Sequence, residues 1–298
     1  MIRYSIAVCN YNMADTLEKS LRSILDQIDE RFEVVVIDGG SDDGSVRILR
    51  NLSMGYDALR VVELDSDPSR HLGADRQRSI EEACGDYVLP QLDADDRYLP
   101  ILPDFVEIYQ QLSSHIDSSL YLSGKGLNIG PRELLLDLPY RNLRSGEDRD
   151  LWRRLFAENS IVWLHHAEVR EEIGYHYNLR EQLQRDYEVK VCDFQAGLDF
   201  WSCMRWALTQ ESHGIFTRHR DGLERIAKTV YDLATFPLAY LDARSRPQYD
   251  TPSKFQKRGT LERAIADNRM TLSEIEETYD ISLDRSALSD LGRKKLDL

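Results

Sequence analysis

Short, nearly continuous apolar runs return along the first hundred residues, each separated from the next by a stretch of helical periodicity, and few folds accommodate that rhythm. Ser5–Cys9, Phe32–Ile37, Leu59–Leu64 and Tyr87–Leu92 have the length of strands, and the second is dominated by Val and Ile. Runs of this kind suit strands covered on both faces, as in a parallel sheet. Between the first two, Leu17, Leu21, Ile24, Leu25 and Ile28 recur at helical spacing, with Asp15 as the expected N-cap and Glu18 three residues later. Val46, Leu49 and Leu52 predict a second helix, and the stretch from about Gly73 to Ala83 predicts a third, closed by Gly85. Strand, helix and strand joined by short links predict an open, mainly parallel α/β sheet, in which ligands bind beyond the carboxyl ends of the strands. Asp38 and Asp93 lie at two such ends.

The fourth run terminates in Asp93-Ala94-Asp95-Asp96. On an extended chain Asp93 and Asp95 share a face and Asp96 points to the other. Two carboxylates on one face repel, and burying either without a partner is expensive, so the pair needs open water or a cation. Hard oxygen ligands with coordination positions left over suit Mg²⁺ or Mn²⁺ that also holds phosphate oxygens. A solvated acidic turn is the alternative.

Further along, a helix is expected after Pro100, running to about Leu112, then a glycine-punctuated strand pair over Tyr121–Gly130, and a polar turn entering an amphipathic helix over Ser145–Leu155. Ile161–Leu164 reads as a strand ending in His165-His166. From about Glu181 the pattern becomes predominantly helical. Phe194, Phe200, Trp201, Met204 and Trp206 lie close together there, either as packing between helices or as an aromatic surface resting on a membrane. The last forty or so residues read as a charged helical tail.

The 298 residues, 42% of them hydrophobic, suffice for a substantial core. A formal charge of -14 argues against a nucleic-acid partner. Cys9, Cys84, Cys192 and Cys203 show neither Cys-x-x-Cys pairing nor zinc spacing and are expected as reduced, buried thiols. The first strand begins almost at Met1, which leaves no room for a signal peptide, and no apolar run is long enough to span a bilayer. A cytoplasmic protein is expected, with at most peripheral membrane association.

Four segments in this order, Val8-Cys9-Asn10-Tyr11-Asn12, Val36–Ser45, Leu92–Asp96 and Gly146–Leu155, resemble the family 2 glycosyltransferases of the GT-A fold. The resemblance covers roughly the first 180 residues. It implies a Rossmann-like nucleotide-diphospho-sugar transferase domain over 1–180, with a nucleotide-sugar half (1–115) and an acceptor half (116–180), and a helical extension over 181–298. By the same resemblance the Val8–Tyr11 segment, Cys9 and Tyr11 among it, and Asp38 hold the base and ribose, with Asn12 and Ser41 also at the nucleotide sugar, while Arg76 or Arg78 lies near the pyrophosphate, and Asp93 and Ala94 contact the donor. Asp93 and Asp95 match the Asp-x-Asp motif that ligates Mn²⁺ or Mg²⁺, with His176 favoured over His165 and His166 as a further ligand. Asp148 matches the catalytic base, Glu147 orients it or the acceptor, and Trp152 packs in the core.

The implied activity is an inverting transfer from a UDP- or GDP-linked sugar to a hydroxyl of a saccharide or lipid-linked acceptor. Transfer to a polyprenyl phosphate, or nucleotide-sugar binding without turnover, are the alternatives. Cys9 stands where the family commonly has Thr or Ser, and the short interval between the two acidic motifs implies an acceptor side that is trimmed or covered by the C-terminal helices.

Overall fold

A computed structural model describes residues 2–116, 119–174, 178–209 and 222–297. The chain opens with β1 (Tyr4–Asn10), α1 (Ala14–Leu25), β2 (Phe32–Asp38), α2 (Ser45–Ser53), β3 (Leu59–Glu63), α3 (Leu72–Glu82) and β4 (Tyr87–Asp93), the alternation that the apolar runs predict. Next come β5 (Asp96–Tyr98), α4 (Leu102–His115), β6 (Tyr121–Ser123), β7 (Asn128–Pro131), α5 (Arg132–Asp137), α6 (Glu147–Glu158), β8 (Ile161–Leu164) and β9 (Arg170–Glu172). Helices α7 (Leu179–Gln195), α8 (Phe200–Thr209), α9 (Gly222–Ala243) and α10 (Thr260–Asn268) follow, and the chain finishes with β10 (Arg269–Met270), α11 (Leu272–Tyr279) and α12 (Asp290–Leu296).

The main sheet has the order β3-β2-β1-β4-β7-β6-β8-β10, and β5 pairs with β9 in a separate ribbon. β3, β2, β1 and β4 run parallel, β7 is antiparallel to both its neighbours, and β8 and β10 run parallel to β6. Every residue of β2 is buried, as expected of its unbroken apolar sequence. The direction of strand succession reverses between β1 and β4, and a crevice beyond the carboxyl ends of two such strands is where an open α/β sheet receives its ligand.

One irregularity sits next to that crevice. Ile6 pairs with Leu89 and Val8 with Leu92, so β4 carries one extra residue, and Gln91 adopts φ 67°. The bulge restarts the pleat just before the acidic turn and sets Asp93 opposite Cys9. Pro90 inside a strand is the sequence signal for it, since proline has no N–H for the ladder.

The contacts divide the chain into two compact units. The first comprises Met1–Pro139, Ser160–Tyr175 and Arg269–Leu298, and the second Tyr140–Asn159 and His176–Asn268. This differs from a single boundary near residue 180, because α6 belongs with the C-terminal helices and the last thirty or so residues return to the first unit. The expected charged tail is therefore corrected. β10 adds a strand beside β8, and Leu272, Ile275 and Leu296, each at most 1% exposed, join the core of the sheet unit. A few apolar residues on short, charged helices are enough to dock them, yet too sparse to stand out in the sequence.

Several local expectations also change. Asp15 is not an N-cap but lies in the first turn of α1, and the free amides there are taken by residues about thirty positions away. Ala14 N donates to Asp43 Oδ2 at 2.8 Å and Met13 N to Ser45 Oγ at 3.2 Å. Gly85 does not close α3, whose C-cap is Ala83; a Cβ on Gly85 would lie 2.8 Å from Ser5 N, so glycine there permits a close backbone approach. Helix α6 does not turn its polar face to solvent, since Asp150, Arg153 and Arg154 are buried together with Leu151 and Trp152. Of the cysteines, Cys192 and Cys203 are buried, Cys9 is half-buried and Cys84 is exposed, and all four are free thiols. Phe194, Phe200, Met204 and Trp206 pack with Phe236 and Tyr240 in the core of the second unit, whereas Trp201 is 75% exposed. No described helix is long and apolar enough to cross a membrane.

Candidate functional site

The site is built from the carboxyl ends of β1, β2 and β4 in the first unit. Asp38, at the end of the wholly buried β2, is itself 1% exposed, and both its oxygens are engaged. Oδ1 accepts from Asn10 Nδ2 at 2.6 Å and Ser41 Oγ at 2.7 Å, and Oδ2 accepts from the amides of Gly40 and Ser41 at 3.1 and 2.9 Å. Register places Asn10 directly opposite Asp38. Ser41 Oγ also accepts from Asn12 N at 2.9 Å, and Asn12 Oδ1 accepts from Asp42 N at 2.9 Å, which ties the turn after β1 to the loop after β2.

Gly40 has φ 93°, and a Cβ on it would meet Ser66 N at 2.7 Å, so both conformation and space require glycine. Arg70 secures the loop from outside by donating to Gly39 O at 2.9 Å, Asp65 O at 2.8 Å and Asp75 Oδ1 at 2.8 Å. The product is a rigid, polar ledge from which Tyr11 projects, 56% exposed.

Beside this ledge the acidic turn is clamped on several sides. Thr16 Oγ1 donates to Ala94 O at 2.9 Å and Ser20 Oγ to Asp93 O at 3.1 Å, both from α1. Asp93 N donates to the Tyr98 hydroxyl at 2.9 Å, and Ile173 N donates to Asp95 O at 2.8 Å. A Cβ on Gly174 would come 2.5 Å from that of Asp95, so this approach too depends on glycine.

Asp93, Asp95 and Asp96 offer oxygens within 4.8 Å of one another. Asp96 therefore does not face away, as strand alternation predicts: β4 ends at Asp93, the chain turns through Ala94 and Asp95, and Asp96 starts the new strand β5. It is 5% exposed and pairs with Arg170. Arg76, 5% exposed on α3, donates to Asp93 Oδ1 at 2.8 Å, while Arg78 on the same helix pairs with Glu82 at 2.6 Å on the surface.

Charge still accumulates. Burial, and then Asp93, raise the pKa of Asp95. Burial pushes Asp96 up to about 6, with Arg170 opposing and Asp93 and Asp95 adding to the rise. Three convergent carboxylates with surplus negative charge are a donor set that a hard divalent cation relieves, and they fit Mg²⁺ or Mn²⁺.

The histidines divide differently. His166 is a core residue: its Nε2 accepts from Lys125 N at 2.9 Å and its Nδ1 lies 2.6 Å from Ala167 O, so both ring nitrogens are occupied within the fold. Among the described residues the carboxylate group includes neither His165 nor His166. His176 lies outside the described residues.

Asp148 and Glu147 belong to the second unit, at the first turn of α6. The residue before the helix, Gly146, has φ 71°. Glu147 is 3% exposed, and Asp148 is half-buried with Oδ1 accepting from Arg149 N at 2.6 Å. The turn is anchored by buried ion pairs. Arg149 pairs with Glu262, Asp150 accepts from Arg141 and Arg154 at 2.9 and 3.2 Å, and Arg153 donates to Asp193 at 2.8 Å.

Of the residues expected at a donor site, Asp38, Ser41, Arg76, Asp93, Ala94 and Asp95 all lie in the first unit, on or next to the ends of β2 and β4 and on α3. Asn10 lies within the Val8–Tyr11 segment that the family resemblance assigns to the nucleoside, whereas Tyr98 and Arg170 are not among the residues expected there. Asn10 carries a local signal, a polar residue ending a buried strand. Arg170 carries none, because its partner Asp96 is 74 positions away.

Comparison with known proteins adds three findings. Residues 5–167, more than half of the chain, match the model for Glycosyl transferase family 2. A cholesterol galactosyltransferase of Borreliella burgdorferi is 31% identical over 94 residues, covering 32% of this chain and 25% of that protein. The putative glycosyltransferase EpsE of Bacillus subtilis is 31% identical over 98 residues, 33% of this chain and 34% of that one. These matches span about a third or less of the relatives' own length.

Among solved structures, S. aureus TarS in complex with UDP-GlcNAc aligns over 94% of this chain and 92% of its own, with TM-score 0.50 and 20% identity. Glucosyl-3-phosphoglycerate synthase from Mycobacterium tuberculosis, in complex with Mn²⁺ and UDP-glucose, aligns over 65% and 79% with TM-score 0.51 and 19% identity. These likenesses support the mixed, mainly parallel GT-A architecture.

Proposed function

This chain belongs to glycosyl transferase family 2, and on that premise we propose that it moves a sugar, with inversion, from a UDP- or GDP-linked donor to a hydroxyl of a saccharide or lipid-linked saccharide in the cytoplasm. The observation that carries this reading is the convergence of Asp93, Asp95 and Asp96 at the end of β4, next to the ledge organised by Asp38. The ledge, with Cys9, Tyr11, Asn12 and Ser41, receives the nucleoside; Asp38 acts by fixing its shape as well as by its charge.

Asp93 and Asp95, with Asp96 beside them, hold Mn²⁺ or Mg²⁺, which when bound supplies Lewis-acid stabilisation of the departing diphosphate. Arg76, anchored on Asp93, adds positive charge beside the phosphates. Asp148 accepts the proton of the acceptor hydroxyl, and a single displacement inverts the anomeric carbon. That role rests on the match of Glu147-Asp148 to the family motif and on the partial exposure of Asp148 at the start of α6. Peripheral membrane association is supported by α9, where Leu223, Ile226, Val230, Leu238 and Leu241 are each more than half exposed.

The test is a thermal-shift titration of UDP and GDP with and without Mn²⁺ on the wild type and Asp95→Ala. Binding at a hundredfold excess over the dissociation constant stabilises by about 2.7 kcal/mol. The expected result is a metal-dependent shift in the wild type that disappears in Asp95→Ala while the metal-free melting curve stays cooperative. An undiminished metal-dependent shift in the variant refutes the assignment.

A further inference from the structure

A second cavity, of about 430 Å³, lies wholly within the second unit and takes no part in the donor site. Its wall combines two tryptophans, Trp201 and Trp206, with Arg205, Lys257, Arg258 and Arg263, against a single carboxylate, Asp199. That carboxylate is engaged, its Oδ2 accepting from Ser202 N at 2.6 Å. Arg258 is spoken for as well: it pairs with Asp193 and lies over the Trp206 ring at 5.1 Å.

The other three cations differ. Arg205, Lys257 and Arg263 are exposed and have no carboxylate partner among the described residues; Arg263 donates only to Gly259 O, at 3.4 Å. In a chain of net charge -14, acidic partners are abundant, so three cations around one concavity with no carboxylate partner among the described residues make a local positive field against the general sign.

We propose that this cavity binds a saccharide that carries an oxyanion, a phosphate or a carboxylate. Guanidinium and ammonium groups recognise oxyanions through charge-assisted hydrogen bonds, and arginine can do so with two parallel donors. Trp201, 75% exposed, lines the same wall, and an indole is an apolar plate with a polar edge that suits the C–H face of a sugar ring. Ser202 and Thr209 also line the cavity, their hydroxyls donating to Asp199 O at 2.9 Å and Trp206 O at 3.4 Å. The volume falls within the range of small-molecule sites, roughly 300–1,000 Å³, and a cavity of that size takes a sugar unit rather than a polymer groove. The inference goes beyond the donor reading and does not depend on it.

The experiment is a titration followed by tryptophan fluorescence and by calorimetry, with UDP and Mn²⁺ present at saturating concentration so that donor binding is read separately. The probes are glucose 6-phosphate, glucuronate, glucose and inorganic phosphate. Saturable binding of glucose 6-phosphate or glucuronate is expected, stronger than that of glucose or of inorganic phosphate and weakened by added salt. Whichever of the two acidic sugars binds more tightly identifies the oxyanion.

Arg205→Ala combined with Lys257→Ala should weaken that binding by at least about tenfold, as should Trp201→Ala, while UDP binding stays unchanged. All three side chains are exposed, so the variants keep their packing, which circular dichroism checks. Glucose binding as well as glucose 6-phosphate and glucuronate would overturn the oxyanion assignment, and inorganic phosphate binding as well as they do would overturn the saccharide assignment. No saturable binding by either acidic sugar, or unchanged affinity in the variants, would remove the site altogether.

Discussion

Asp148 decides between a transferase and a binder, and between base-assisted and base-free chemistry. Asp148→Asn keeps the size of the side chain and an acceptor for Arg149 N but cannot take a proton, so transfer to a hydroxyl should fall by roughly 10² to 10⁴. Affinity for the donor should persist, because the nucleoside ledge and the carboxylate group belong to the other unit. Sugar transfer and UDP affinity measured on one preparation distinguish the outcomes: near-wild-type transfer would show that no base is needed there, as for a phosphate acceptor, and joint loss of both would mark a structural residue. The neighbouring carboxylates show how far single positions were legible. Asp93 and Asp95 stand out because acids at the end of an apolar strand are costly unless something answers their charge. Asp96 was misjudged because period-two alternation holds only while the strand continues, and this one stops at Asp93.

Buried ion pairs tie the helices of the second unit to one another. Glu262 on α10 is nearly buried, and although burial opposes its ionisation, Arg149 and Arg258 hold its pKa down to about 2 from an ordinary 4.5. The same carboxylate keeps Arg149 charged, whereas Arg258 is lowered to about 10 by burial and by the repulsion of Arg149 and Arg153, with Glu262 opposing. Since the folded value lies below the unfolded one, Glu262 contributes its full stabilisation above about pH 4.5 and loses it as pH falls through about 2. That depression corresponds to roughly 3 kcal/mol. Melting temperatures recorded between pH 7 and pH 2 should drop across this window, and Glu262→Gln should flatten the drop while lowering stability at pH 7 by about 3–5 kcal/mol, because two arginines lose a buried partner. A variant with wild-type stability at pH 7 would show that the network is dispensable. The C-terminal elements behave in the opposite way, being held by apolar contact. Leu296→Ala should cost about 2–5 kcal/mol in denaturant unfolding, the range for a buried leucine, where a solvated tail would register no change.

Taken as one molecule, the chain combines strong acidity with an exposed apolar stripe on α9. If that stripe meets lipid, flotation with neutral vesicles should recover the protein in the lipid fraction, and anionic vesicles should recover less, because the net charge of -14 is repelled by them. Complete recovery in the soluble fraction with both vesicle types would leave α9 without a membrane role. The order of elements, the parallel character of β1 to β4 and the acidic crevice beyond them followed from residue order alone, because strand length, helical period and the burial demand of apolar runs are local properties. The two-unit division, the return of residues 269–298 to the sheet, the Asp96–Arg170 pair and the cations around the tryptophan cavity were decided only by tertiary structure. Each joins residues that are unremarkable among their neighbours in sequence, and a charge reveals its purpose only when folding shows whether a partner has come to meet it.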